Sequence, residues 1–136
     1  MHSTNYTNTL IEIAADSKTR QGKIPPVRGE KKTIANLEYE MLSNNPYKYT
    51  SDEVKFAIHA LRNEIPKAQQ KSQRLAYFSK GQPCFRASPL TKTYGWGVHA
   101  NTHGQIALIA CESPEYQQLQ ADKSVNKVKA MRSKKH

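Results

Sequence analysis

Apolar and polar positions change period several times along this chain, and each change predicts a boundary. In TLIEIA (9–14) Ile11 and Ile13 share one side of a loosely alternating pattern, which predicts a short strand. DSKTRQGKIPPVRGEKK (16–32) follows, where Gly22, Pro25, Pro26 and Gly29 interrupt any regular structure. A connection of that length is unusual in a compact domain and counts as a candidate lid. From 33 to 44 the period lengthens: Ile34, Leu37, Met41 and Leu42 fall on one helical stripe, and Asn44-Asn45-Pro46 ends it.

Two periods fit the next apolar run, VKFAIHAL (54–61). Val54, Phe56 and Ile58 alternate as in a strand, while Val54, Ala57, Ile58 and Leu61 make a helical stripe with Thr50 and Glu53 as a capping box. The β-branched and aromatic character of the alternating set selects strand. Residues 66–79 predict a helix, with Pro66 in the tolerated first turn, Leu75 and Phe78 on its face and Gly81 as its stop. GWGVHA and QIALIA are two β-prone runs joined by Asn101-Thr102-His103-Gly104, a hairpin pattern. Ser113-Pro114-Glu115 then combines a cap, a first-turn proline and an acid, which opens a helix over about 114–122. The order β-α-β-α-β-β-α predicts an α+β domain whose helices pack on one side of a mostly antiparallel sheet. Residues 1–122 form that domain, and 123–136 is expected as a flexible basic tail.

Length agrees with this partition. A 136-residue chain fits one core and buries roughly two-thirds of its unfolded surface without disulfides or metal. It is 37% apolar, with a mean hydropathy of −0.79. The longest apolar run, Ile106 to Cys111, falls far short of the roughly 20 residues a membrane span needs. MHSTNYTNTL has neither a basic patch nor an apolar stretch of secretory type. With only Cys84 and Cys111, a reducing cytoplasm and unbridged thiols are expected, and no membrane partner.

Charge changes the picture more than composition does. The net charge is +10, of which residues 1–66 carry +1 and residues 67–136 carry +9. Between Glu64 and Glu112 there is no acidic residue, yet Lys67, Lys71, Arg74, Lys80, Arg86 and Lys92 lie in that interval. Such a field attracts anions, from phosphorylated metabolites to nucleic acid, and it also serves solubility.

The candidate chemistry falls in the same interval. Arg86 can fork two hydrogen bonds onto a carboxylate or phosphate, Ser88 and Thr91 add hydroxyl donors, and Lys92 adds a point charge. Tyr94 and Trp96 offer flat surfaces, the glycines beside Trp96 leave the backbone approachable, and His99 lies just beyond. These seven residues are the candidate ligand site. The same pattern fits a core tryptophan whose glycines make room for the ring. Basic residues interleaved with Tyr77, Phe78, Phe85, Tyr94 and Trp96 also match the stacking-plus-phosphate pattern of single-strand binders. The tail residues Lys127, Lys129, Arg132, Lys134 and Lys135 would add phosphate attraction. No RNP1, KH loop or zinc finger accompanies them.

His59, His99, His103, Cys84 and Cys111 follow no metal-ligand spacing, so no metal or cofactor is expected. A thiol enzyme pairing Cys84 with His99 requires only that the fold bring them together. No nucleophile elbow, P-loop or dinucleotide fingerprint is present.

The blocks MHSTNYTNTLIEIA, NPYKYTSDEV, KGQPCFRASPLTKTYGWGVH and KAMRSKK resemble an uncharacterised bacterial family, domain of unknown function 6157. They span nearly the whole chain. The resemblance implies a single domain and a bacterial cytoplasmic origin, and it carries no catalytic residue. The expectation is therefore a non-enzymatic protein that binds an anionic ligand or partner at Arg86–Trp96. The alternatives are a nucleic-acid-binding module or a Cys/His enzyme.

Overall fold

Strand β1 (Thr9–Glu12) sends Leu10 and Ile11 to opposite faces of a sheet, and both are buried, so a layer must cover each face. A computed structural model describes residues 1–133 of the protein. Its sheet has the order β3-β2-β1-β4, with β2 (Trp96–Ala100) and β3 (Ile106–Ala110) forming the expected hairpin. β1 pairs antiparallel with β2 and parallel with β4 (Asn126–Lys129). The architecture is α+β with a mixed sheet.

Helix α1 (Ile34–Ser43) starts at Thr33, whose hydroxyl accepts from Asn36 N–H while the Asn36 side chain accepts from Thr33 N–H. Helix α2 (Ser51–Arg62) occupies the segment expected as a strand, and the physical reason is specific. Its buried apolar residues are Val54, Phe56, Ile58 and Ala60, an alternating set. On a helix these form two i, i+4 pairs lying about 200° apart. Val54 and Ile58 pack into the main core, while Phe56 and Ala60 pack outward against Phe78. Burial on two opposite faces imitates a period of two. The Thr50–Glu53 capping box decides the backbone: Thr50 Oγ accepts from Glu53 N–H, and the Glu53 carboxylate accepts from Thr50 N–H.

The helix expected over 66–79 is realised as a 3₁₀ turn at Lys67–Gln69 followed by α3 (Gln70–Tyr77). Between α3 and the hairpin lie a second 3₁₀ turn, Phe85–Ala87, and the one-turn helix α4 (Pro89–Lys92), capped by Ser88. Helix α5 (Pro114–Ala121) has the expected Ser113 cap and first-turn proline.

The main core joins Ile11, Val98, Ala100 and Ile106 of the sheet to Leu42, Val54, Ile58 and Phe85. α5 departs from the one-sided packing expected for the helices. Its Tyr116 covers Leu10 on the opposite face, together with Val125. The expected tail is also corrected, because residues 126–129 form β4. NKVK has one apolar residue and no alternation strong enough to announce a strand. Its Val128, opposite Ile11 in register, joins the main core. Lys134 and Lys135 lie outside the described residues.

Candidate functional site

A cleft of about 540 Å³ opens between α1, α2 and the segment 82–89, within the range of small-molecule sites. One stripe of α2 supplies Lys55, Ile58, His59 and Arg62, which recur at helical spacing. α1 contributes Ile34 and Glu38, α3 ends in Tyr77, and Gln82, Pro83, Ala87, Ser88 and Pro89 close the far side.

At its floor lies a carboxylate out of contact with water. Glu38 is fully buried; its Oε2 accepts from Lys55 Nζ at 2.5 Å and its Oε1 from Ser88 Oγ at 2.6 Å. Lys55 Nζ also sits 4.1 Å from the Phe85 ring centroid. Ser88 Oγ in turn accepts from Leu90 N–H as the cap of α4. The hydroxyl is fully engaged in holding the fold, so it has no nucleophile's geometry. Buried charges persist only when paired and hydrogen-bonded, and this trio satisfies that condition.

Toward the mouth, His59 and Tyr77 stack with centroids 4.4 Å apart and planes inclined 35°. The Asn63 amide donates to the His59 carbonyl at 2.8 Å and lies 3.3 Å from His59 Nδ1, which holds the ring at the end of α2. Burial first, then the negative charges of Glu38 and Asp52, push the Tyr77 phenol above its ordinary value, so it remains a donor at neutral pH. Arg62 is exposed, and among the described residues it has no ion-pair partner.

Of the seven residues of the expected site, between Arg86 and His99, Ser88 alone lines this cleft. Arg86 Nε donates to the Lys129 carbonyl at 2.7 Å, and its own carbonyl accepts from Met131 N–H at 2.8 Å, which straps β4 to the body. Thr91 is fully buried and donates to the Phe85 carbonyl at 2.6 Å. Lys92 is half-buried in the last turn of α4. Tyr94 accepts Lys23 N–H at its carbonyl, and Trp96 Nε1 donates to the Lys23 carbonyl at 2.8 Å. The Trp96 ring meets Tyr39 of α1 at 5.6 Å.

The glycines around Trp96 serve packing. Gly95 has φ +79°, and a Cβ there would lie 2.1 Å from the Gln21 carbonyl oxygen. At Gly97 it would lie 2.6 Å from the Tyr116 ring, on the other face of the sheet. His99 also lies on that other face, with Nδ1 2.8 Å from the Tyr47 hydroxyl, and burial lowers its pKa. The loop expected as a candidate lid is tied down through Lys23, through Gly22 N–H to Glu112, and through Asn36 to the Pro25 carbonyl.

Against models of known protein families, residues 1–136 match one described as a family of unknown function (DUF6157). The chain belongs to that family. No curated protein and no solved structure matches. In this DUF6157 chain, no group of three His, Cys, Asp or Glu side chains among the described residues is arranged to hold a metal ion. Nor is any helix there long and apolar enough to cross a membrane. Cys84 and Cys111 are free thiols, and the Cys84 Sγ contacts Tyr6, whereas His99 contacts Tyr47.

Sequence reasoning missed Glu38, Lys55, Arg62 and Tyr77 as site residues. Lys55, His59 and Arg62 were within reach: read as a helix, 51–62 puts them on one stripe. Glu38 carried no local signal, since an acid beside Leu37 on a helix is ordinary.

Proposed function

We propose that this protein binds a small organic anion with an apolar body in the α1–α2 cleft and performs no chemistry on it. One observation carries the reading: an exposed Arg62, without an ion-pair partner among the described residues, stands at the mouth of a cleft walled by Ile34, Ile58, Pro83 and the His59–Tyr77 stack. A guanidinium there suits a carboxylate or phosphate, and the walls suit a flat apolar body. This keeps the ligand class expected at Arg86–Trp96 and moves it to Arg62, whose guanidinium makes no ion pair among the described residues. The setting we propose is the bacterial cytoplasm, which the family resemblance suggests and two unbridged thiols suit.

Calorimetric titration with nucleoside monophosphates and aromatic carboxylates tests it, at low and high salt. Saturable binding by one class, weakened about tenfold or more in Arg62→Gln, is expected. Absence of binding across the panel, or affinity indifferent to Arg62, would refute it.

A second reading rests on α3, which buries none of its residues and carries Lys71 and Arg74, with Lys67 just before it. That surface suits the phosphates of a polynucleotide. Its mark would be affinity for single strands of any sequence that falls steeply with added salt.

A further inference from the structure

A second hollow lies on the far side of the sheet, at the ends of the two parallel strands, and its chemistry is opposite to that of the cleft. It encloses about 390 Å³ and is lined by charged and polar groups: Glu12, Arg20, Lys129, Gln120, Tyr116 and Cys111. Parallel pairing makes β1 and β4 end at the same edge, where their chains diverge and leave a crevice beside α5.

Glu12 and Lys129 stand opposite each other in register, so their side chains emerge on the same face. Yet they form no ion pair, and neither does Arg20 with any described residue. Glu12 turns instead to Gln120, whose amide donates to Oε2 at 2.7 Å, while its Oε1 accepts no hydrogen bond among the described residues. The Tyr116 hydroxyl accepts from Ile13 N–H at 3.0 Å and keeps its own hydrogen to donate. Burial above all pushes that phenol's pKa up, so the hydrogen stays in place at neutral pH. An adjacent acid and base held apart, with a guanidinium near them, leave two cations and one carboxylate oxygen to be satisfied from outside.

We infer that this crevice binds a small acidic α-amino acid: Arg20 and Lys129 take its two carboxylates, and Glu12 takes its ammonium group. Two acids and one amine match the two cations and one carboxylate of the hollow. The small volume and polar lining disfavour the flat apolar bodies that suit the other cleft.

The test uses the full chain and two readouts. Calorimetry compares L-glutamate and L-aspartate with glutarate and succinate, which lack the amine. In parallel, iodoacetamide labelling at mildly alkaline pH follows Cys111 by peptide mass, with the other half-buried thiol, Cys84, as internal reference. An acidic amino acid should bind saturably and slow Cys111 labelling while leaving Cys84 unchanged. Lys129→Gln and Arg20→Gln, both at exposed positions that tolerate substitution, should each weaken binding about tenfold or more. Glu12→Gln should abolish the preference over the dicarboxylates, and Arg62→Gln should leave binding intact, which separates this site from the α1–α2 cleft. Failure of both amino acids to bind at millimolar concentration would overturn the inference. So would equal affinity for succinate and aspartate, or binding unaffected by the Arg20, Lys129 and Glu12 variants.

Discussion

Lys55 bonds to a carboxylate that water cannot reach, so its removal should act through what it leaves behind. Lys55→Met strands the Glu38 charge in the core, and about 3–5 kcal/mol of stability should be lost in denaturant titrations. The double variant Glu38→Leu/Lys55→Met should recover much of that, because no uncompensated charge remains. His99 gives a pH signature. Burial holds its pKa below the ordinary value, so as pH falls the unfolded chain takes up the proton first, near about 6.5. Stability should therefore decline on acidification through that point, until the folded imidazole protonates too. Denaturation midpoints measured from neutral to mildly acid pH should fall less steeply in His99→Gln than in the parent.

At the scale of elements, the loop between β1 and α1 is held by close backbone approach, and two glycines separate approach from conformation. Gly95 and Gly29 both have positive φ, but a Cβ at Gly29 meets nothing within 4 Å, whereas at Gly95 it meets the Gln21 carbonyl. Gly29→Ala should cost only the conformational strain, about 1 kcal/mol. Gly95→Ala should cost clearly more and loosen the loop at Lys23, read as a lower thermal midpoint and faster exchange of the Lys23 amide. Arg86 offers a second test. As a strap on the edge of β4 it should, when changed to Ala, cost about 1 kcal/mol and speed exchange of the Ala130 amide, which bonds to Glu12 of β1. A residue used only for ligand contact would leave that exchange unchanged.

On the scale of the whole molecule, a basic half and an almost neutral half close around one sheet, and two hollows of contrasting chemistry lie on either side of it. Local signals in the chain were enough for β1, for α1, for the 96–110 hairpin and for α5. Each rests on a short-range cause: alternation, a stripe, a turn or a cap within a few residues. α2 was legible by its capping box and by the Val54, Ala57, Ile58 and Leu61 stripe, but burial on two faces gave its apolar residues a strand's period as well. β4 was not legible at all, since Asn126–Lys129 becomes a strand through hydrogen bonds to β1, more than a hundred residues away.

The same division governs function. The sequence by itself determined the α+β class and the placement of charge, because each follows from residue identity and near neighbours. The tertiary structure alone decided that Glu38 is buried against Lys55 and Ser88, and that Arg62 stands over an apolar cleft with no ion-pair partner among the described residues. It alone also brought Glu12, Arg20 and Lys129 around one crevice. Such sites depend on which residues desolvate one another across the fold, and sequence spacing carries no measure of that.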